Sequence, residues 1–299
     1  MRSYSSLWRL IFQNYIINMK AKIKSYEDGN QHIRTPHGMW VRNFTNNNYQ
    51  YKDLNKTYKK SDYFTFLKNE VQNSMQRFTW IEHENFSHDT IVIVSDGFDF
   101  SKKQHLLEKI PNNVTLIGVL GSLSKWTIKR PLDYYLVNNP YETCMKYFNR
   151  RMRNMPKCIA SLKTDSNFLM NYRGLVFKYL SVYEDEYRSK YVKEVELQID
   201  DYRNPICAAL HFSFKFGASK IILFCCDDSF QGERPGSEKL ENGLYQYPPQ
   251  QIAHELIDAK MFWLNKMKYQ EIEIFDHSSG ATYQNATYIE SEDFEKLFI

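Results

Sequence analysis

The chain contains no CxxC pair and no cluster of Cys and His at metal-ligand spacing, so a zinc site is not expected. Its five cysteines, Cys144, Cys158, Cys207, Cys225 and Cys226, are an odd set and cannot form a fully paired disulfide framework. Cys225 and Cys226 are neighbours within an apolar run and read as small buried hydrophobes. A reducing compartment fits this usage, and the expected location is cytoplasmic. No apolar run approaches the roughly 20 residues needed to span a bilayer. Residues 7–17 are short, are interrupted by Arg9, Gln13 and Asn14, and lack a small-residue cleavage site, which makes a poor signal peptide. Leu7, Leu10, Ile11, Tyr15, Ile17 and Met19 roughly follow helical spacing, as in an amphipathic helix that packs on a core. No internal repeat appears, and no low-complexity linker is long enough to separate domains.

What is present is a chain of 299 residues, 42% hydrophobic and 16% aromatic. That is enough for one large domain or a core with an appended piece. The net charge of +4 is mild but unevenly spread, with 11 Lys/Arg against 3 Asp/Glu in the first 60 residues. Such a region either faces an acidic partner, a membrane surface or nucleic acid, or is simply solvated. Residues 28–88 are polar, with a turn at Thr35-Pro36-His37-Gly38 and a helical pattern over 62–78. Residues 1–88 are therefore read as a helical or irregular N-terminal extension packing on a core at 89–299.

The pattern sharpens at Thr90-Ile91-Val92-Ile93-Val94, a β-branched run suited to a strand buried on both faces of a parallel sheet. Ser95-Asp96-Gly97-Phe98-Asp99 follows, then a helical pattern over 102–110. Strand, glycine turn and helix make half of a βαβ unit, and a helix N-terminus there attracts phosphate. Asp96 and Asp99 would repel a bare phosphate, but they could hold Mg²⁺ or cap the helix. Further strands are read at 114–120, 132–137 and 158–162, with small or polar loops at Gly121-Ser122 and Asn138-Asn139. Residues 172–191 read as a helical or irregular insertion. Pro205 opens a helix of small residues that Gly217 closes, and an apolar strand over 220–226 ends in Asp227-Asp228. The expected fold is α/β: a Rossmann-like, mostly parallel sheet with helices on both faces. In such folds ligands bind outside the carboxyl ends of the strands. Ser95, Asp96, Gly97, Asp99, Ser122, Asn138 and Asn139 are accordingly candidate nucleotide-binding positions, although turn-forming Asn residues need no ligand.

Phe216-Gly217-Ala218-Ser219-Lys220-Ile221-Ile222-Leu223 followed by Asp227 resembles the family once called domain of unknown function 115. That family includes the 6-hydroxymethylpterin diphosphokinase MptE, and its core is similar to those of the Maf flagellin glycosyltransferases and bacterial sialyltransferases. Its pattern is a strand, a Gly-Pro-Ser-type loop, an Ala-rich helix, Gly, an apolar strand and Gly-x-Asp. Cys225 stands where the family has glycine, and Ser95-Asp96-Gly97 stands where two glycines are expected. The resemblance spans residues 89–299. It includes a Gly/Tyr-rich loop at 231–247, a helix over 249–266, a strand over 271–275 and a turn at Asp276-His277-Ser278-Ser279-Gly280.

The resemblance implies three readings. A pterin-type diphosphokinase should carry an Asp-x-Asp-Gly motif for Mg²⁺ after the third strand, where this chain has Val137-Asn138-Asn139-Pro140. A glycosyltransferase using a nucleotide-activated sugar fits better, with a CMP-linked donor among the candidates. His254 would then be the general base, Asp227 a catalytic carboxylate, Tyr245 or Tyr247 a donor-phosphate contact, and Arg203 a phosphate partner. The third reading is a non-catalytic binding protein on the same fold. The implied ligand is a nucleotide or nucleotide sugar, with a glycan or protein acceptor. Mg²⁺ is admitted but not required, and a homo-oligomer is left open.

Overall fold

The structure is a computed structural model that describes residues 23–25, 30–35, 38–43, 48–53, 56–58, 65, 68–70, 72–81, 84, 89–148, 152, 154–181, 198–199, 204–227, 238–239, 243–246, 267, 270–278 and 286–298. The expected helix at 7–17 and the helix at 249–266 lie outside these residues. Contacts divide the chain into two units, Met1–Thr65 with Tyr183–Glu194, and Phe66–Val182 with Val195–Ile299. The boundary expected at residue 88 therefore falls earlier in the chain. Residues 69–81 belong to the second unit, where Asn69, Asn73 and Ile81 are buried.

The first unit holds a five-stranded antiparallel meander: β1 (Ile23–Ser25), β2 (Asn30–Thr35), β3 (Gly38–Asn43), β4 (Asn48–Asp53) and β5 (Lys56–Tyr58). This corrects the expectation of a helical or irregular extension. In its register Ile23, Ile33, Trp40, Tyr51 and Tyr58 occupy paired positions across all five strands. These positions are spread over residues 23–58 among many polar ones, which hides the row from a linear scan.

The second unit is built on a ten-stranded sheet. Its strands are β6 (Thr79–Trp80), β7 (Thr90–Val94), β8 (Thr115–Val119), β9 (Tyr134–Val137), β10 (Lys157–Ser161), β11 (Val176–Ser181), β12 (Gln198–Ile199), β13 (Lys220–Phe224), β16 (Glu273–His277) and β17 (Thr287–Tyr288). The order is β12-β11-β10-β9-β8-β7-β13-β16-β17, with β6 beside β11, and every pairing is parallel. Two short strands, β14 (Glu238–Lys239) and β15 (Tyr245–Gln246), form a separate antiparallel ladder. β7 matches its expected bounds. β11 corrects the reading of residues 172–191 as an insertion. Its Lys178 disguises the strand, yet that side chain is buried, with Nζ 4.7 Å from the Trp80 ring centre.

Side chains alternate between two cores, one on each face. Ile91, Ile93, Ile117, Val119 and Leu136 pack with helix α4 (Pro205–Lys215). Val92, Val94, Leu116 and Val137 pack with Phe100, Leu107, Leu123, Phe168 and Phe294. Those residues come from α1 (Phe100–Lys103), a 3₁₀ turn at Gln104–Lys109, α2 (Ser122–Lys125), α3 (Ser166–Asn171) and a 3₁₀ turn at Phe294–Phe298. The fold is therefore α/β and Rossmann-like, with helical layers on both sides. α4 begins as its sequence dictates: Asn204 caps it by accepting from the Ile206 N–H, Pro205 occupies its first turn, and Gly217 ends it at φ +76°. Only glycine adopts that conformation without strain.

Candidate functional site

Because all the main strands run parallel, the loops after β7, β8, β9, β10, β13 and β16 emerge along one edge. Strand order reverses direction at β7. The chain moves outward through β8 to β12, then returns to place β13 on the other side of β7. Crevices form at such a reversal.

The loop after β7 is bound directly to the loop after β13. Ser95 N–H donates to the Phe224 carbonyl and Gly97 N–H to the Cys225 carbonyl, both at 3.0 Å. Gly97 is required by space: a Cβ there would sit 1.9 Å from Asp227 Oδ1 and 2.5 Å from the Cys225 oxygen. Cys225 adopts φ 52°, a left-handed conformation at the position where the resembling family has glycine. Non-glycine residues pay roughly 1–2 kcal/mol for it. The β16 end joins the same edge, with Ser278 Oγ accepting from Cys226 N–H at 2.9 Å.

Asp96 turns the other way, toward the loop after β8. Its Oδ1 accepts from Gly121 N–H at 3.0 Å, and its Oδ2 pairs with Lys125 Nζ at 3.0 Å. Asp96 is thus a neutralised strut between two loops. Asp99 precedes α1 but makes no side-chain cap bond, and it lies 3.6 Å from exposed Lys102. The expected helix over 102–110 is a single α-turn followed by the 3₁₀ turn. The fold therefore offers no long helix dipole for phosphate here, which corrects that part of the sequence argument.

Ser122 is buried at the start of α2, and the loop after β9 presents Asn138 and Asn139. Asn139 Oδ1 accepts from Tyr141 N–H at 3.0 Å, and its side chain hydrogen-bonds the Tyr147 hydroxyl. Burial first, then the Asp96 charge, raises the Tyr147 pKa, so the phenol stays protonated. The Asp96 charge thus reaches Tyr147 on the loop after β9, while Asp227 packs over Gly97 on the other side of the β7 loop. Asn138 Nδ2 and Ser122 Oγ are buried and find no partner among the described residues.

The fold thus brings together Ser95, Asp96, Gly97, Ser122, Asn138, Asn139 and Asp227. Beside these stand Gly121 and Ser278, which lie within loops the sequence marks, together with Lys125 and Tyr147. Lys125 follows one of those loops, whereas nothing in the sequence singles out Tyr147. Tyr245 sits in β15, which pairs with β14 in the separate ladder. His254, Arg203 and Tyr247 lie outside the described residues. A cavity of about 380 Å³, lined by Arg77, Phe78, Tyr172 and Leu175, opens where β11 begins, at the opposite rim of the sheet. None of the five cysteines is in a disulfide, and all are buried. Among the described residues, no three His, Cys, Asp or Glu side chains are grouped to hold a metal ion, and no helix is long and apolar enough to cross a membrane.

No protein-family model and no curated protein matches the sequence. Among solved structures, the MAf glycosyltransferase from Magnetospirillum magneticum AMB-1 is similar, with a TM-score of 0.59 and 14% identity. The fold is Maf-like. The match covers 77% of this chain and 38% of that one, so this chain spans well under half of that protein's length. At this identity the likeness is one of fold.

Proposed function

We propose that the chain is a glycosyltransferase that binds the nucleotide of an activated sugar in the crevice between the loops after β7, β8, β9 and β13. One observation carries the reading. At the strand-order reversal, the β7 loop is bonded to the β13 loop at Gly97 and to Lys125 through Asp96, and the loop after β9 carries Asn138, whose buried Nδ2 has no partner among the described residues. The Maf-like fold supports it.

In this reading Lys125 and the Asn138 amide meet the donor phosphates, and protonated Tyr147 donates a further hydrogen bond. Asp227 accepts from ribose or sugar hydroxyls and holds the donor in place as the anomeric bond breaks. His254 takes the proton of the acceptor hydroxyl. Lys125, already paired with Asp96, contributes a hydrogen bond to the phosphate, and the reading neither requires nor excludes Mg²⁺.

The test is thermal unfolding with CMP, UDP, GDP, ATP and a pterin, each with and without Mg²⁺. A ligand at a hundred times its Kd stabilises by about 2.7 kcal/mol. For a unit of this size that raises Tm by roughly 5–10 °C. Response to one nucleotide of the CMP, UDP or GDP set is expected. A response confined to ATP with Mg²⁺ would favour a diphosphokinase, and silence with every ligand would overturn nucleotide binding.

A further inference from the structure

Two buried asparagines far from the crevice loops in sequence hold those loops in shape. Asn69 and Asn73 lie in helical chain at residues 68–70 and 72–74. Four residues apart, they share one helix face, and both are buried, 3% and 1% exposed. Asn69 Nδ2 donates to the Pro140 carbonyl at 2.8 Å and to the Lys163 carbonyl at 3.0 Å. Asn73 Nδ2 donates to the Leu162 carbonyl at 2.9 Å and to the Thr164 carbonyl at 2.7 Å. A side-chain amide has two N–H donors, and each asparagine spends both on loop carbonyls. Asn69 Oδ1 also accepts from Ser166 Oγ at 3.2 Å.

The four carbonyls belong to the loops after β9 and β10, at the ends of strands where the sheet ladder no longer satisfies them. The two loops are also bonded to each other. Thr164 Oγ1 donates to the Val137 carbonyl and Asp165 N–H to the Asn139 carbonyl, both at 3.0 Å. Asn138 and Asn139 thus stand on a loop pinned by Asn69 just beyond them, at Pro140. The neighbouring loop that braces it is pinned by both asparagines. Preorganised donors bind better than donors that must be ordered by the ligand.

We infer that Asn69 and Asn73 are positioning residues for the crevice wall formed by Asn138 and Asn139. They touch no ligand themselves; they fix the direction of the side chains that do. The inference rests on the nucleotide reading above.

The experiment compares the full-length chain with Asn69→Ala, Asn73→Ala, the near-isosteric Asn69→Leu, and Ser166→Ala as a control that spares all four donated bonds. Calorimetry with the best nucleotide of the thermal screen gives Kd, and amide hydrogen exchange reports the loop. Asn69→Ala and Asn69→Leu should each weaken nucleotide binding by about tenfold or more. They should also speed exchange at the Tyr141 and Asp165 amides while leaving Ile93 and Ile117 protected. Ser166→Ala should keep the parent Kd. Variants that are less stable but bind with the parent Kd would overturn the inference, because a purely structural role predicts that result. Should the variants not fold, the parent decides: nucleotide should slow exchange at Tyr141 and Asp165 and shift the Asn69 side-chain amide resonances, and no change in either would overturn it. A parent that binds no nucleotide is a different outcome and removes the functional reading itself.

Discussion

Replacing Gly97 by alanine tests the contact on which the crevice depends. The new methyl would sit 1.9 Å from Asp227 Oδ1 and 2.5 Å from the Cys225 carbonyl oxygen. Non-bonded carbon contacts settle at about 3.5–4.0 Å, so both distances lie far up the repulsive wall. Asp227 can rotate away, but the Cys225 oxygen is backbone and is held at 3.0 Å by the N–H of Gly97 itself. Relief therefore requires the β7 loop to part from the β13 loop. Overpacking of this kind costs about 1–3 kcal/mol, and loss of the hydrogen bond about 0.5–1.5 kcal/mol. Alanine's smaller unfolded-state entropy offsets about 0.4–1 kcal/mol, leaving a loss of roughly 2–3 kcal/mol. For a unit of this size that is a Tm drop of roughly 5–10 °C, measurable by circular dichroism alongside urea titration. Gly121→Ala is the contrast. Its methyl would meet Asp96 Oδ2 at 2.2 Å and Cγ at 2.7 Å, a side chain that can turn at the expense of its Gly121 N–H bond and its partly exposed Lys125 pair, so its stability loss should stay at about 1–2 kcal/mol. If Gly97→Ala unfolds within about 0.5 kcal/mol of the parent, the two loops do not touch as described and the crevice is wrong.

Three further outcomes follow from the same geometry. Lys125→Met should cost less than about 1 kcal/mol of stability, because its ion pair with Asp96 is 47% and 26% exposed; calorimetry should nevertheless show about tenfold weaker nucleotide binding. His277 is buried and its Nδ1–H donates to the Ile289 carbonyl at 2.7 Å; burial lowers its pKa below the ordinary 6.5. The unfolded chain then binds the proton more readily than the folded one, so stability holds above pH 6.5 and falls as pH drops below it. His277→Gln should flatten that slope in urea titrations between pH 8 and 5.5, and an unchanged slope would contradict a neutral His277. The thiols should resist a disulfide reagent at pH 8 until urea exposes them, since all five are buried and burial pushes Cys144 up to about 12; rapid labelling of the folded chain would refute this.

The elements legible in the sequence are those whose local signal and tertiary setting agree. Thr90–Val94 is β-branched throughout and lies between β13 and β8, so burial on both faces matches composition. Asn204, Pro205 and Gly217 delimit α4 because a cap, a ring-fixed φ and a positive φ act within a few residues. β11 escapes a linear reading because Lys178 interrupts its apolar run, and what tolerates the lysine is Trp80, 98 positions earlier in the chain. The Asn69–Asn73 pair is invisible for the same reason, since asparagine in a helical stretch reads only as a weak helix former and its carbonyl partners lie 71 to 94 residues away. Loop positions are readable from the rule that ligands gather at strand ends. The role of Asp96 is not, because only coordinates show which way a carboxylate turns.

That turn changes the electrostatics of the proposed site. Read linearly, Asp96, Asp99 and Asp227 make an acidic rim that would repel phosphate unless a divalent cation intervened. In the folded chain, both oxygens of Asp96 already accept, one from a backbone N–H and one from Lys125. Asp99 lies beside exposed Lys102. Asp227 is nearly buried and packed over Gly97. The charge that an incoming phosphate would meet is therefore smaller than the residue count implies. Lys125 stands at the boundary: it is half exposed, and only one of its three N–H donors is committed to the Asp96 carboxylate. A second contacts the Asp96 carbonyl at 3.3 Å, so a phosphate oxygen arriving at the third would complete the ammonium's hydrogen bonding without displacing the strut. In the proposed site the glycine-poor loop would thus meet phosphate through Lys125 of α2, where a glycine-rich loop would use backbone N–H groups of its own.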